Sequence, residues 1–225
     1  MLLAGAGLCQ AKRRLAGTAW VKREVYALPE NTLLPDTLYT RYTFQKNDAY
    51  ISFTPAWNGR QFDWKLDGDQ LTIGFVQYRI EEWTDSTLVI YQPGYRRFVL
   101  DNKEWLKSRS ALPPVLGVFN NEPLYATTRI VTPRYKKGDV ERILRQNLQA
   151  ENIRKPMTFE ITFIVRTDGS VDSVKVVHGI EPSYDEEMAR RIGKTSKDWT
   201  PAVCQGKPIQ SQMVYTIRFL ASFVR

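Results

Sequence analysis

Residues 60–76, RQFDWKLDGDQLTIGFV, carry the pattern that decides the fold of the first half of the chain. Phe62, Trp64 and Leu66 alternate with polar residues, and after Asp67-Gly68 the alternation resumes. Period-two alternation predicts a strand with one buried and one exposed face. Asp-Gly between two such runs is a strong hairpin signal. The stretch therefore predicts two antiparallel strands joined by a tight turn.

The same pattern extends outward from Thr18 to Leu100. Turn signals recur at Lys46-Asn47-Asp48, Asn58-Gly59, Asp85-Ser86 and Pro93-Gly94. They divide this part of the sequence into about eight strands, which we expect to begin near residues 18, 38, 49, 61, 70, 78, 87 and 95. Eight strands in a meander close most economically into a small barrel. The sequence predicts an all-β, eight-stranded barrel over residues 12–101.

Several motifs in this half are similar to those of lipocalin-like domains. They are the opening LAGTAW at 15–20, WKLDGDQL at 64–71 and IEEWTDSTL at 80–88. The resemblance covers residues 15–100 and implies that Trp20 plugs one end of the barrel. Gly17 and Trp20 are separated by two residues, where lipocalins proper have one. Five of the six Trp lie in residues 12–110, which fits either a pocket for a small hydrophobic ligand or bulky filling of the interior.

The periodicity changes after a breaker-rich segment, residues 102–130, which reads as a connector. Apolar residues at Val140, Ile143, Leu144 and Leu148 predict a helix. Alternating runs predict a strand from Met157, a turn at Asp168-Gly169, a second strand ending at His178, and a last strand from Ile209 to Phe219. Ser183 and Glu186 match a capping box, which opens a helix that buries Tyr184, Met188 and Ile192 and ends at Gly193. Residues 131–225 are thus predicted to form an α+β domain with a three-stranded antiparallel sheet and two helices.

Three motifs in this half, in order, resemble the C-terminal domain of TonB, the periplasmic energy transducer of Gram-negative bacteria. They are PRYKKG at 133–138, FIVRTDGSVDSVKV at 163–176, and WTPA at 199–202 followed by GKPI at 206–209. The match runs from about 132 to 219 and implies that fold. TonB itself has a transmembrane helix and a long Pro-rich spacer, whereas here a barrel-like module precedes the domain. The resemblance therefore says less about energy transduction than about the fold.

The resemblance also implies a mode of binding, in which a partner's extended segment adds to the edge of the last strand. The matching positions are Gln210, Gln212, Val214 and Thr216 on the strand and Pro133, Arg134 and Tyr135 near the domain's start. It implies a protein partner in the periplasm or outer membrane and a link to outer-membrane transport.

Little in the sequence favours catalysis. One His, His178, and two Cys, Cys9 and Cys204, cannot build a Cys/His zinc site, and we expect no metal or cofactor. We expect His178 and Trp199 to be structural residues and Cys204 an inert thiol. The net charge of +8 comes from 32 basic and 24 acidic residues that are interspersed, which argues against a nucleic-acid partner. The sequence predicts a non-enzymatic binding protein.

The first eleven residues resemble the end of an export signal. Leu2 to Leu8 is a short apolar run that stops before Lys12-Arg13-Arg14, too soon for a transmembrane anchor. Cleavage after Ala11 predicts a periplasmic protein. A buried N-terminal segment and a lipid anchor on Cys9 remain as alternatives.

Two functions are consistent with these features. The first is an exported protein whose C-terminal domain binds a partner by strand addition. The second is a carrier that holds a small hydrophobic ligand in the barrel.

Overall fold

The computed structural model describes residues 15–36, 38–145 and 156–219. The predicted export signal and Cys9 lie outside the described residues, as does Leu148 of the first predicted helix. Contacts within the chain divide it into two units, with the boundary between Ser110 and Ala111. In the described part of the chain, every helix is too short or too polar to cross a bilayer.

The first unit is a closed antiparallel β-barrel of eight strands, and this part of the predicted fold is confirmed. A ninth, two-residue strand pairs with the end of the first. The strands are β1 Ala19–Ala27, β2 Thr32–Leu33, β3 Arg41–Phe44, β4 Asp48–Ser52, β5 Arg60–Asp67, β6 Gln70–Ile73, β7 Val76–Trp83, β8 Thr87–Gln92 and β9 Arg96–Asn102. The barrel strands follow one another around the sheet in the order β1-β3-β4-β5-β6-β7-β8-β9, and β1 pairs with β9 to close it. Each barrel strand begins within three residues of its predicted start.

Alternation places one set of side chains inside the barrel, where thirteen buried residues form a single cluster. Phe44 and Trp64 meet edge to face in this core, with ring centroids 5.1 Å apart. Trp20 is 1% exposed, and its indole donates to the hydroxyl of Thr18 at 2.7 Å. A short helix, α1 Lys103–Arg109, follows β9. The side chain of the preceding residue, Asn102, accepts from the amides of Glu104 and Trp105 and so caps the helix.

The second unit is built on a five-stranded sheet in the order β10-β11-β18-β13-β14. Its strands are β10 Val115–Phe119, β11 Glu122–Ala126, β12 Arg134–Tyr135, β13 Met157–Val165, β14 Val171–His178, β15 Trp199–Thr200, β16 Ala202–Cys204, β17 Lys207–Ile209 and β18 Ser211–Phe219. Its helices are α2 Val140–Arg145 and α3 Pro182–Gly193. The predicted antiparallel core of β13, β14 and β18 is present.

The prediction of only three strands is wrong, because the segment assigned to a connector forms the β10–β11 hairpin and extends the sheet. β11 lies parallel to β18, with Tyr125 opposite Ser211 and Ala126 opposite Gln212. The start of that segment, residues 103–109, forms α1. Strand pairing explains the error, since the hairpin joins the sheet through β11, whose partner β18 lies about 90 residues later in the chain.

The predicted capping box at Ser183 is also wrong. The cap residue is Glu181, two residues earlier; the helix α3 begins at Pro182, and its cap makes no side-chain hydrogen bond. Proline suits the first helical position, because its φ is already helical and the N–H that it lacks would have no partner within the helix. The carboxylate of Asp185 instead accepts from the amide of Ile180 at 2.9 Å. The predicted buried face and the end at Gly193 are confirmed.

Aromatic contacts join the helices and strands of the second unit. Phe159 meets Tyr184 edge to face at 5.2 Å, and Phe163 stacks on Tyr215 at 6.0 Å. Trp199 is 1% exposed and donates from its indole to the hydroxyl of Thr195 at 2.8 Å. Trp199 is therefore a core residue, as predicted.

Candidate functional site: the open side of the last strand

β18 is paired along its whole length on one side and only at its start on the other. On the first side, β13 pairs from Met157 opposite Phe219 to Val165 opposite Ser211. On the second side, β11 reaches only Ser211 and Gln212. Beyond Gln212, no strand in the described ranges pairs with this side.

The geometry identifies which backbone groups face the open side. The amide of Tyr125 donates to the carbonyl of Gln210 at 3.2 Å, so the carbonyl of Gln210 points toward β11. Because alternate residues of a strand point their N–H and C=O groups to the same side, those of Val214, Thr216 and Arg218 point that way too. These three residues present backbone donors and acceptors with no described strand beside them.

The side chains of the same residues lie on the outer face of the sheet. Val214 is 53% exposed, and Thr216 and Arg218 are also exposed. The hydroxyl of Thr216 donates to Glu160 at 3.1 Å, and Glu160 also lies 3.9 Å from the exposed His178. Thr216, Glu160 and His178 thus form a polar row that begins at the open side of β18 and crosses β13 and β14.

The predicted site residues on β18 and just before it have different surroundings. Gln210, predicted as a partner-binding position, is 2% exposed, and its side-chain amide donates to the carbonyls of Phe119 and Glu122 at 2.9 and 2.8 Å. Gln212 is opposite Ala126 of β11. Val214 and Thr216 lie on the open side.

Pro133, Arg134 and Tyr135 belong to a different part of the unit. Arg134 and Tyr135 form β12, which pairs with β15. Tyr135 is buried, with its ring 5.3 Å from that of Trp199. The pairing of β12 with β15 places Arg134 and Tyr135 in a separate two-stranded sheet.

Arg218 was missed by the sequence analysis, although a signal was present. It has the same parity as Val214 and Thr216 and belongs to the same outward set of an alternating strand. The site therefore runs one alternate position further along β18 than predicted.

The barrel interior offers a second place to look for a site, and side chains occupy it. Tyr42 and Tyr78 share a hydrogen bond between their hydroxyls, and burial raises the pKa of both. Lys22 lies on the inner side of β1, opposite Leu100, with its side chain 5% exposed. Its ammonium is 2.7 Å from the carboxylate of Asp36, and this hydrogen bond lowers the pKa of Asp36.

The Lys22–Asp36 pair was not predicted from the sequence. The signal that could have revealed it is a lysine two residues after Trp20, on the inward phase of β1. The pair attaches the loop between β2 and β3 to the barrel wall, so its contacts account for a structural role.

The remaining candidate residues are His178 and Cys204. His178 has a 68% exposed side chain, and Cys204 is buried with its thiol 3.7 Å from the carbonyl of Ala111. Within the described ranges, no three His, Cys, Asp or Glu side chains come together in a way that could hold a metal ion.

Comparison with family models, with curated proteins and with solved structures finds no match for this chain.

Proposed function

We propose that this chain is an exported, non-enzymatic protein of two modules. Its C-terminal module, which resembles the C-terminal domain of TonB, binds an extended segment of a periplasmic or outer-membrane protein and serves outer-membrane transport. The barrel, which resembles a lipocalin-like domain, is the second module. The observation that carries the proposal is the open side of β18 from Val214 to Arg218.

The arrangement of the second unit supports the resemblance. β13 and β14 form a hairpin whose turn is Asp168-Gly169, α3 follows, and β18 pairs with β13. Trp199 of the WTPA motif lies in the core. Of the three motifs that carry the resemblance, FIVRTDGSVDSVKV forms the hairpin, PRYKKG places Tyr135 against Trp199 of WTPA, and GKPI leads into the last strand.

Strand addition fits the chemistry of the open side. Each ladder hydrogen bond contributes on the order of 1 kcal/mol. A partner segment of about six residues would bind at micromolar to millimolar strength once a few kcal/mol of ordering cost is subtracted. Such binding needs no charged patch and no fixed pocket.

The packed interior of the barrel makes partner binding the better supported of the two functions. A carrier would need space for its ligand, whereas thirteen buried residues form one cluster in this interior. Five Trp lie in the barrel unit, so an intrinsic-fluorescence titration with fatty acids tests the carrier directly. A saturable change at micromolar ligand would favour the carrier.

The test of partner binding is Val214→Pro, which removes an amide donor on the open side. We expect binding of a peptide recovered by pull-down to fall at least about tenfold, because a ladder bond is lost and the proline ring obstructs the added strand. Calorimetric titration measures the change. Val214→Thr keeps the amide and is the matched control, with affinity expected within about twofold.

Charge reversal separates this mechanism from a charged-patch mechanism. Arg190 lies on α3 and Lys194 directly follows it. We expect Arg190→Glu and Lys194→Glu to leave the affinity within about threefold, since exposed charges contribute under about 1 kcal/mol. Normal binding by Val214→Pro together with lost binding in the charge reversals would show that strand addition is wrong.

A further inference from the structure

The two ends of the barrel differ in chemistry. Strands β1, β4, β6 and β8 end where β3, β5, β7 and β9 begin, so four connections, residues 28–40, 53–59, 74–75 and 93–95, share one end. We call this end the rim. The opposite end has the three turns 45–47, 68–69 and 84–86.

The rim carries exposed apolar side chains on all four of its connections or directly beside them. They are Leu33 at 56% exposure, Leu38 at 71%, Phe53 at 59%, Phe75 at 106%, Val76 at 37% and Tyr95 at 53%. Among the described residues of the first unit, the only other large exposed apolar side chain is that of Trp105, in α1. The three opposite turns contain only polar residues and glycine.

The fold does not require these residues. Phe75 follows Gly74 in a two-residue turn, where small polar residues are the usual choice. Its ring is fully exposed and contributes nothing to the core. Six such residues at one end form a patch of the kind that marks an interaction surface.

The connection that carries Phe53 is held firmly although it has no regular structure. The guanidinium of Arg41, a residue that is 2% exposed, donates to the carbonyl of Pro55 at 3.0 Å and to that of Trp57. The hydroxyl of Ser52 donates to the carbonyl of Thr54 at 2.6 Å. Phe53 is thus presented outward from an ordered loop.

The charges of the rim favour an anionic partner. Arg96 stacks on the exposed ring of Tyr95, 4.7 Å from its centroid, and Arg60 is exposed where β5 begins. The rim connections contain two acidic residues. Glu30 is exposed, and Asp36 is paired with Lys22. The opposite turns and the strand ends beside them carry four acids against one base. These are Asp48, Asp67, Asp69 and Asp85 against Lys46.

We propose that the rim docks on the surface of a lipid bilayer that carries anionic headgroups. Apolar tips on separate loops can each enter the boundary between headgroups and acyl chains. Tyr and Arg suit the headgroup level, because each has an apolar body and a polar end. A flat apolar face, by contrast, would suit another protein surface.

The test is co-sedimentation of the full chain with vesicles. The wild-type chain pellets with vesicles of equal parts phosphatidylglycerol and phosphatidylcholine, and several-fold less with pure phosphatidylcholine. The double variant Phe53→Ser/Phe75→Ser lowers the partition coefficient at least about tenfold, because two buried aromatic contacts are lost. The matched control Leu116→Ser, at a 52% exposed residue of β10, leaves it within about twofold.

Both substituted phenylalanines are exposed, so the double variant should keep the thermal midpoint of the wild type, which is checked first. A wild-type chain that pellets with neither vesicle overturns the proposal. So does equal pelleting of the wild type and the double variant. Sedimentation velocity tests whether the chain associates with itself. If the wild type self-associates, the double variant does not, and neither binds vesicles, the rim is a surface between copies of the chain and the proposal is overturned.

Discussion

The barrel and the C-terminal sheet are both built from alternating strands, but the barrel closes and the sheet does not. Pairing of β1 with β9 gives each of the eight barrel strands a neighbour on both sides. The C-terminal sheet ends at β10 and β14, and β18 is covered on one side only at its start. The difference separates two kinds of recognition. The eight paired barrel strands leave side chains as their main means of recognition, whereas the open strand of the sheet can also bind through its backbone.

The open strands of the C-terminal sheet, β14, β10 and β18, differ in the regularity of their backbone. β14 has irregular register at two places and a positive φ at Ser173, and both features disrupt an added strand. β10 is exposed along most of its length and contains Leu116 and Val118, at 52% and 72% exposure. The open part of β18 is regular, with no register shift against β13. Regular backbone makes β18 the better template for a partner.

The largest expected effect tests whether the two regions are independent. Trp20→Ala should lower the free energy of unfolding of the barrel by about 4 kcal/mol, because a fully buried indole leaves a large cavity. If the regions fold separately, calorimetry shows two transitions and only one moves. Trp105→Ala, at an exposed position of α1, is the control and should cost less than about 1 kcal/mol. A single transition, or a joint shift of two, would show that the units do not unfold independently.

A smaller effect is expected from substitutions in the dipeptide Asp-Gly, which occurs at a turn in each region. Asp67-Gly68 and Asp168-Gly169 both turn a hairpin, and both glycines have positive φ. A Cβ at Gly169 would lie 2.3 Å from the carbonyl oxygen of Trp199, whereas a Cβ at Gly68 would meet nothing within 4 Å.

Gly68→Ala should therefore cost about 1 kcal/mol, for backbone conformation alone. Gly169→Ala should cost about 3 kcal/mol, because the backbone of Trp199 must also move. Urea unfolding of both variants measures the difference. Equal losses would mean that the contact between Gly169 and Trp199 is easily relaxed.

The contrast between the regions also explains what the sequence could predict. The barrel was predictable because each strand alternates and its neighbours follow directly in the chain. The β10–β11 hairpin was not, since Val115 and Leu116 are both exposed, Pro123 interrupts the pattern, and the pairing partner lies far away in the sequence. The alternation of β18 gave the open positions Val214 and Thr216. The burial of Gln210 depends on that distant hairpin and left no local signal.

The smallest expected effect concerns how the hairpin is attached to β18. The side chain of Gln210 holds the carbonyls of Phe119 and Glu122, so Gln210→Ala loses two hydrogen bonds and should cost about 1 to 2 kcal/mol. Amide exchange in β10 and β11 should become about tenfold faster, while exchange in β13 and in its ladder with β18 stays within about twofold. Gln212→Ala is the control, because Gln212 is held by backbone pairing and should change neither. If β13 loses protection as well, the hairpin is part of the cooperative core rather than an addition to it. In the expected case, the same variant should bind the partner peptide as the wild type does, because Val214, Thr216 and Arg218 remain on the open side whether or not the hairpin is attached.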